Sequence, residues 1–222
     1  MNTSAIKFLG IFCLLLCVTL TFAQDPPYWN EIQSFKHSDS ISTPPKKAIL
    51  FVGSSSFRIW KDVQKDFPNH VIINRGFGGS SLPDVIRYAD DIIFPYRAKQ
   101  IVIYCGENDL ASSDSITAQI VFNRFETLFA IIRKHSKRVN IVFVSIKPSP
   151  SREKNLPKVI EANKMIEAYL KTRKRTAYVN VFDVMIDSQG KIRNELFQED
   201  MLHMKPNGYA LWKKAIEPYL IK

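Results

Sequence analysis

Five short apolar runs constrain this chain more than any other feature: Ala48–Val52, His70–Asn74, Gln100–Tyr104, Val139–Ser145 and Ala177–Phe182. They are nearly continuous in apolar character rather than alternating. Segments with apolar residues at helical spacing separate them, clearest at Ile116–Lys134 and Lys158–Lys174, with a last one at Pro206–Leu220. Strands apolar on both faces must be covered on both faces, and parallel strands need long crossovers of the kind helices supply. The pattern predicts an α/β protein, a three-layer α/β/α sandwich around a five-stranded parallel sheet. No internal repeat, low-complexity tract or long linker interrupts it.

The first 23 residues carry one charge, Lys7, then an apolar run from Phe8 to Leu20 and a small residue, Ala23. That reads as a secretory signal peptide over 1–23. The run is short for a membrane span and lacks a basic stop-transfer flank, and Leu16 before Cys17 argues against a lipoprotein signal. Cleavage would leave about 199 residues (222 minus 23), enough for one sizeable core. Cys13 and Cys17 would leave with the signal, so Cys105 stands alone and reads as a buried small residue. Export without disulfides points to a bacterial periplasm or exterior. Residues 24–47 form a leader with a short helix pattern (Tyr28, Ile32, Phe35) closed by Pro44 and Pro45, and 48–222 form the domain.

The formal charge of +10 becomes +9 without Lys7. Basic clusters at Arg133–Arg138 and Lys171–Arg175 fall at the ends of predicted helices, where positive charge complements the helix dipole. A nucleic-acid partner would want interleaved aromatics and a recognisable motif, and neither is present. Attraction to acidic polysaccharide or anionic lipid stays open.

The first apolar run ends in Gly53 and three serines, followed by a helical pattern at Phe57, Trp60, Val63 and Phe67. A serine there sits at the carboxyl end of a strand and at a helix start, the place where α/β sheets build sites. It can also be only a helix cap. Gly53, Gly76, Gly78, Gly79 and Gly106 all follow the first three runs, which marks that edge of the sheet. The loop Asn74–Ser81 lacks the final glycine of a dinucleotide fingerprint. Gly106-Glu107-Asn108-Asp109 places an amide and two carboxylates after the third run; Asn108 can cap a turn or donate to a developing oxyanion. His37, His70 and His135 have ordinary explanations. His203 lies three residues after Asp200, close enough for the carboxylate to fix the imidazole's tautomer, although the pair can also be a capped surface turn.

Taken in order, Gly53–Ser56, Asn74–Gly79, Gly106–Asp109 and Asp200–His203 resemble the four blocks of the SGNH, or GDSL-type, hydrolases. The resemblance spans Phe51 to Tyr209, and Phe57–Trp60 with Asn74–Gly79 looks most like the branch of platelet-activating-factor acetylhydrolases and bacterial acetylesterases. It implies a flavodoxin-like α/β fold and a carboxylic ester hydrolase. Carried over residue by residue, it makes Ser55 the nucleophile, His203 the base and Asp200 its orienting acid. The oxyanion hole would be the Ser55 and Gly79 backbone N–H groups with the Asn108 side chain. No metal or organic cofactor is implied. The family commonly has Asp where Ser54 stands; that residue is not the catalytic acid, so activity is expected to survive, with the holding of the turn the open point.

Two other hydrolase designs fail on spacing. Phe57 occupies the second glycine of a G-x-S-x-G elbow, and no His/Asp cluster has metal-ligand spacing. No long insertion is present to form a lid or an acyl channel. With export, that favours a short acyl group, acetyl first, on a small ester or an acetylated glycan. The runner-up is a lysophospholipase or lipid-directed acetylhydrolase. A catalytically silent glycan-binding relative would be expected to have lost one of Ser55, Gly79, Asn108, Asp200 or His203, and all are present. No stable membrane insertion is expected after signal cleavage, and the oligomeric state is left undetermined.

Overall fold

The computed structural model describes residues 25–222, so the expected signal peptide lies outside the described residues. Five strands form one sheet: β1 (Ile49–Gly53), β2 (Ile72–Gly76), β3 (Gln100–Tyr104), β4 (Asn140–Val144) and β5 (Thr176–Val179). Their order is β2-β1-β3-β4-β5 and every pairing is parallel. The helices are α1 (Trp29–Ile41), α2 (Ser55–Ile59), α3 (Val63–Asp66), α4 (Leu82–Arg87), α5 (Ala89–Ile92), α6 (Glu107–Ser112), α7 (Ala118–His135), α8 (Leu156–Lys171) and α9 (Pro206–Ile216). This is the expected three-layer sandwich.

Strand side chains alternate between two cores, as the pleat requires. Leu50, Val52, Ile101, Ile103, Ile141 and Phe143 face α1, α4, α5, α7 and α8. Ile49, Phe51, Val102, Tyr104, Val142 and Val144 face α2, α3 and α9. The central strands β1 and β3 are buried throughout, whereas the edge strands β2 and β5 are partly open. Continuous apolar character therefore belongs to the middle of the sheet, and β2 starts two residues later than its apolar run. The expected leader helix, α1, sends Ile32 into the larger core, and Glu31 accepts the Gly78 N–H at 3.1 Å.

Two helices end differently from expectation. The pattern Phe57–Phe67 forms α2 and α3 rather than one helix. Trp60 leaves helical geometry (φ −73°, ψ 75°), packs at a tilt with its ring 5.0 Å from that of Tyr209 and donates its indole N–H to Asp66 at 2.6 Å. All four pattern residues still reach the same core. The last helix stops at Ile216, and a 3₁₀ turn over Glu217–Tyr219, with Pro218 inside it, carries the chain to Gln100.

Candidate active site

The turn after β1 is dictated by Gly53. Its φ is +138°, and a Cβ there would lie 1.8 Å from the Tyr104 carbonyl oxygen on β3, so no other residue fits. The Ser54 N–H donates to that same oxygen at 3.1 Å, and the Phe57 and Arg58 N–H groups donate to the Ser54 carbonyl at 3.0 and 3.2 Å. Ser54 is buried and its side chain makes no cap. Backbone bonds thus hold this turn without a carboxylate at position 54. Ser55 opens α2 with its side chain partly exposed, between the buried Ser54 and Ser56.

His203 reaches Ser55 from the segment before α9. Its Nε2 stands 3.1 Å from Ser55 Oγ, and its Nδ1 stands 2.5 Å from Asp200 Oδ2. Asp200 Oδ1 accepts the backbone N–H groups of Leu202 and His203, both at 2.9 Å. Partial desolvation pushes the Asp200 carboxyl up, but those two N–H groups and the imidazole outweigh it and hold the pKa at about 2. A carboxylate so fixed sets the tautomer, with Nδ1 protonated and Nε2 free to accept the Ser55 hydroxyl proton. Met201, between them, has a left-handed backbone (φ 52°), and Ser151 clamps its carbonyl through backbone N–H (3.1 Å) and hydroxyl (3.0 Å).

Facing this pair are N–H donors without acceptors. Among the described residues, neither the Ser55 nor the Gly79 backbone N–H is hydrogen-bonded. The Asn108 amide is fixed at both ends: Nδ2 donates to the Ser80 carbonyl at 3.0 Å, and Oδ1 accepts from Arg152 Nη1 at 2.9 Å. The second Nδ2 hydrogen stays available beside Gly79, where a Cβ would lie 3.8 Å from that nitrogen. All five residues expected from sequence are therefore connected through one edge of the sheet.

Several residues that sequence reasoning missed hold them there. Ser80 is fully buried; its hydroxyl donates to the Gly53 carbonyl at 3.1 Å while its own carbonyl accepts Asn108. Beneath Asn108 lies the buried Glu107 carboxylate. It accepts from Lys147 Nζ at 2.7 Å and Tyr104 Oη at 2.9 Å, and also from the Ser149 hydroxyl. Arg152 stands 3.7 Å away. Burial pushes Glu107 toward the neutral acid, but the two cations prevail and its pKa is lowered. Asp109 ties the Leu82 N–H (2.9 Å) and Arg124 (2.7 Å) to the same turn. Cys105 is buried and free, as expected.

An alcohol, imidazole and carboxylate in line can relay a proton, and unpaired N–H groups beside the alcohol can receive an anion. Comparison with known proteins finds the same fold. A Streptococcus pneumonia protein described as a platelet activating factor superposes with a TM-score of 0.75 at 23% identity, over 86% of this chain and 92% of its own. A GDSL-like lipase from Bacteroides thetaiotaomicron gives 0.72 at 20% identity, covering 85% and 96%. An acetyl-xylooligosaccharide esterase from Geobacillus gives 0.62 at 10% identity, covering 80% and 96%. No curated protein matches the chain in sequence. The GDSL-like Lipase/Acylhydrolase family matches over residues 39–211, most of the described length. The chain belongs to that family, and it is a carboxylic ester hydrolase.

Proposed function

We propose that Ser55, His203 and Asp200 form a catalytic triad that removes short acyl groups, acetyl first, from carbohydrate esters. The observation that carries this reading is the chain of contacts Asp200–His203–Ser55, at 2.5 and 3.1 Å. His203 takes the Ser55 proton as Oγ attacks the ester carbonyl, and Asp200 stabilises the imidazolium. The tetrahedral oxyanion is received by the Ser55 and Gly79 N–H groups and Asn108 Nδ2. His203 protonates the departing alkoxide, and water then repeats the sequence on the acyl-enzyme.

The acetyl-xylooligosaccharide esterase among the structural neighbours supports the glycan reading, and the likeness to the Streptococcus pneumonia protein favours a lipid-directed second reading. Two substrate series separate them: p-nitrophenyl esters from acetate to decanoate, and acetate release from acetylated xylan. A rate that falls steadily beyond butyrate, together with acetate release, is expected; a maximum at decanoate with no release from xylan would overturn the glycan reading. Export belongs to the same proposal, and amino-terminal sequencing of the protein from its producing cell should start at Gln24.

Two further results are expected. Asn108→Ala should lower kcat by about 100- to 1,000-fold with little change in KM, because the donor acts on charge that develops only in the transition state. Arg152→Gln should cost roughly tenfold, the worth of a charge-assisted hydrogen bond. It should cost nothing further in the Asn108→Ala background, since Arg152 acts through that amide. The pH profile follows from Asp200. Its pKa of about 2 keeps it ionised well below the ordinary carboxylate range. The charge is therefore retained as pH falls from 6 to about 3, and Asp200 should add no step of its own to the acid limb of kcat/KM over that range. A slope of two would show that the carboxylate is lost in the same range.

A further inference from the structure

The opposite edge of the sheet, where the strands begin, has a charge pattern of its own. Five connections lead into the strands there: residues 42–48, 67–71, 97–99, 136–139 and 172–175. They hold nine lysines and arginines and no aspartate or glutamate. The last turns of α7 and α8 and the chain end add Arg133, Lys134, Lys171 and Lys222. These thirteen exceed the net charge of +10, so the rest of the chain is net negative by three. The helix dipole accounts for cations in a last turn, but its effect falls off beyond it and does not reach the connections.

The nine are also unlike the cations elsewhere. Among the described residues none joins a salt bridge, whereas most charged groups on the other faces are paired. All but Lys99 are exposed. Arg133 staples two of the connections together by donating to the carbonyls of Val139, Lys174 and Arg175. Such crowding of like charge opposes the compact state unless a counter-charge is met. Between the β3 and β4 connections lies an open groove of about 630 Å³, lined by Arg97, Lys99, Lys137 and Arg138 together with Phe94, which stacks 4.0 Å from His135.

Apolar side chains share this edge. Ile41 ends α1 just before the β1 connection, Val71 precedes β2, and Tyr219 is tied to Gln100 at the start of β3. They are 74%, 50% and 42% exposed, three of the six large exposed hydrophobic residues among the described ones. A soluble polyanion would engage the charge and leave these three unused. An interface of headgroups and acyl chains uses both.

We propose that this face docks peripherally on an anionic lipid bilayer, with the groove seating headgroup phosphates and Ile41, Val71 and Tyr219 entering the interface. Five-residue strands separate the two edges by roughly 16 Å of sheet, so the docked enzyme holds Ser55 away from the bilayer. Resting on the catalytic reading above, this deepens it: the ester is taken from the aqueous side rather than from the supporting lipid.

The test is co-sedimentation of the purified protein with vesicles of phosphatidylcholine containing about one-third phosphatidylglycerol, beside pure phosphatidylcholine. Binding to the anionic vesicles alone is expected, weakened by 0.5 M salt. The triple variant Lys137→Gln, Arg138→Gln, Lys174→Gln should weaken it on the order of 100-fold, at roughly fivefold per cation, with p-nitrophenyl acetate hydrolysis unchanged. Ile41→Ser with Tyr219→Ser should also weaken vesicle binding, whereas bound wild type should keep its full rate on the soluble ester. Equal binding to neutral vesicles, no binding to anionic ones, or binding to polygalacturonate but not vesicles overturns the proposal. So does loss of soluble-ester turnover on vesicles. Since sedimentation does not depend on turnover, an inactive protein that still binds would count against the catalytic reading alone.

Discussion

Ser55→Ala is expected to lower kcat for p-nitrophenyl acetate by about 10⁵- to 10⁶-fold, with KM nearly unchanged. The three residues of such a relay act as a unit, so His203→Ala should cost a similar amount, and the double variant little more than either single change. Residual catalysis would come from the anion-binding donors, which neither substitution touches. The choice among three consecutive serines is what the measurement decides. Ser54 and Ser56 are buried, and the Ser56 carbonyl accepts the Tyr209 hydroxyl at 2.8 Å. Only Ser55 has its hydroxyl against His203 Nε2. Retention of more than a hundredth of the wild-type rate by Ser55→Ala, with Ser54→Ala or Ser56→Ala inactive, would move the nucleophile.

Lys147→Met is the second large effect, and it falls on stability first. Lys147 and Glu107 are both almost fully buried and their charged atoms are 2.7 Å apart. Removing the cation leaves a carboxylate without its main partner in a low-dielectric site, which costs about 3–5 kcal/mol. Urea denaturation should show this as a lowered midpoint with an unchanged slope. Glu107→Gln combined with Lys147→Met should recover much of the loss, because no uncompensated charge remains. Burial alone would lower the Lys147 pKa and raise that of Glu107; with both cations present the Glu107 carboxyl is instead held below its ordinary value. Its contribution is therefore complete above the unfolded carboxyl pKa of about 4.3 and is lost as pH falls through the lower folded value. The single variant should be less sensitive to acid between those limits than wild type.

The sheet was legible because β1, β3 and β4 are buried on both faces and had to be apolar throughout. Edge strands β2 and β5 were placed less well, since most of their residues are only partly buried and no longer mark the strand ends. Gly53, Asn108, Asp200 and His203 stood out because each does something few residue types can do. The supports did not. Ser80, Lys147 and Arg152 are ordinary residues whose partners lie 27 to 44 positions away, at Gly53, Glu107 and Asn108. One signal was present: Lys147 comes two residues after an apolar strand run, where a lysine that is buried requires an anion. Trp60 broke the helical pattern for a reason no periodicity carries, namely that its indole N–H reaches Asp66.

The segment Ser149–Arg152 touches the site at two places. Ser151 grips the Met201 carbonyl between Asp200 and His203, and Arg152 grips the Asn108 amide. The proposed proton relay and anion-receiving amide are thus both held by a single bracket four residues long, anchored below by Glu107. One short piece of chain links the two halves in addition to the sheet edge that carries Ser55 and Asn108. A change in that bracket would therefore move both halves together without replacing the serine, the imidazole or the carboxylate.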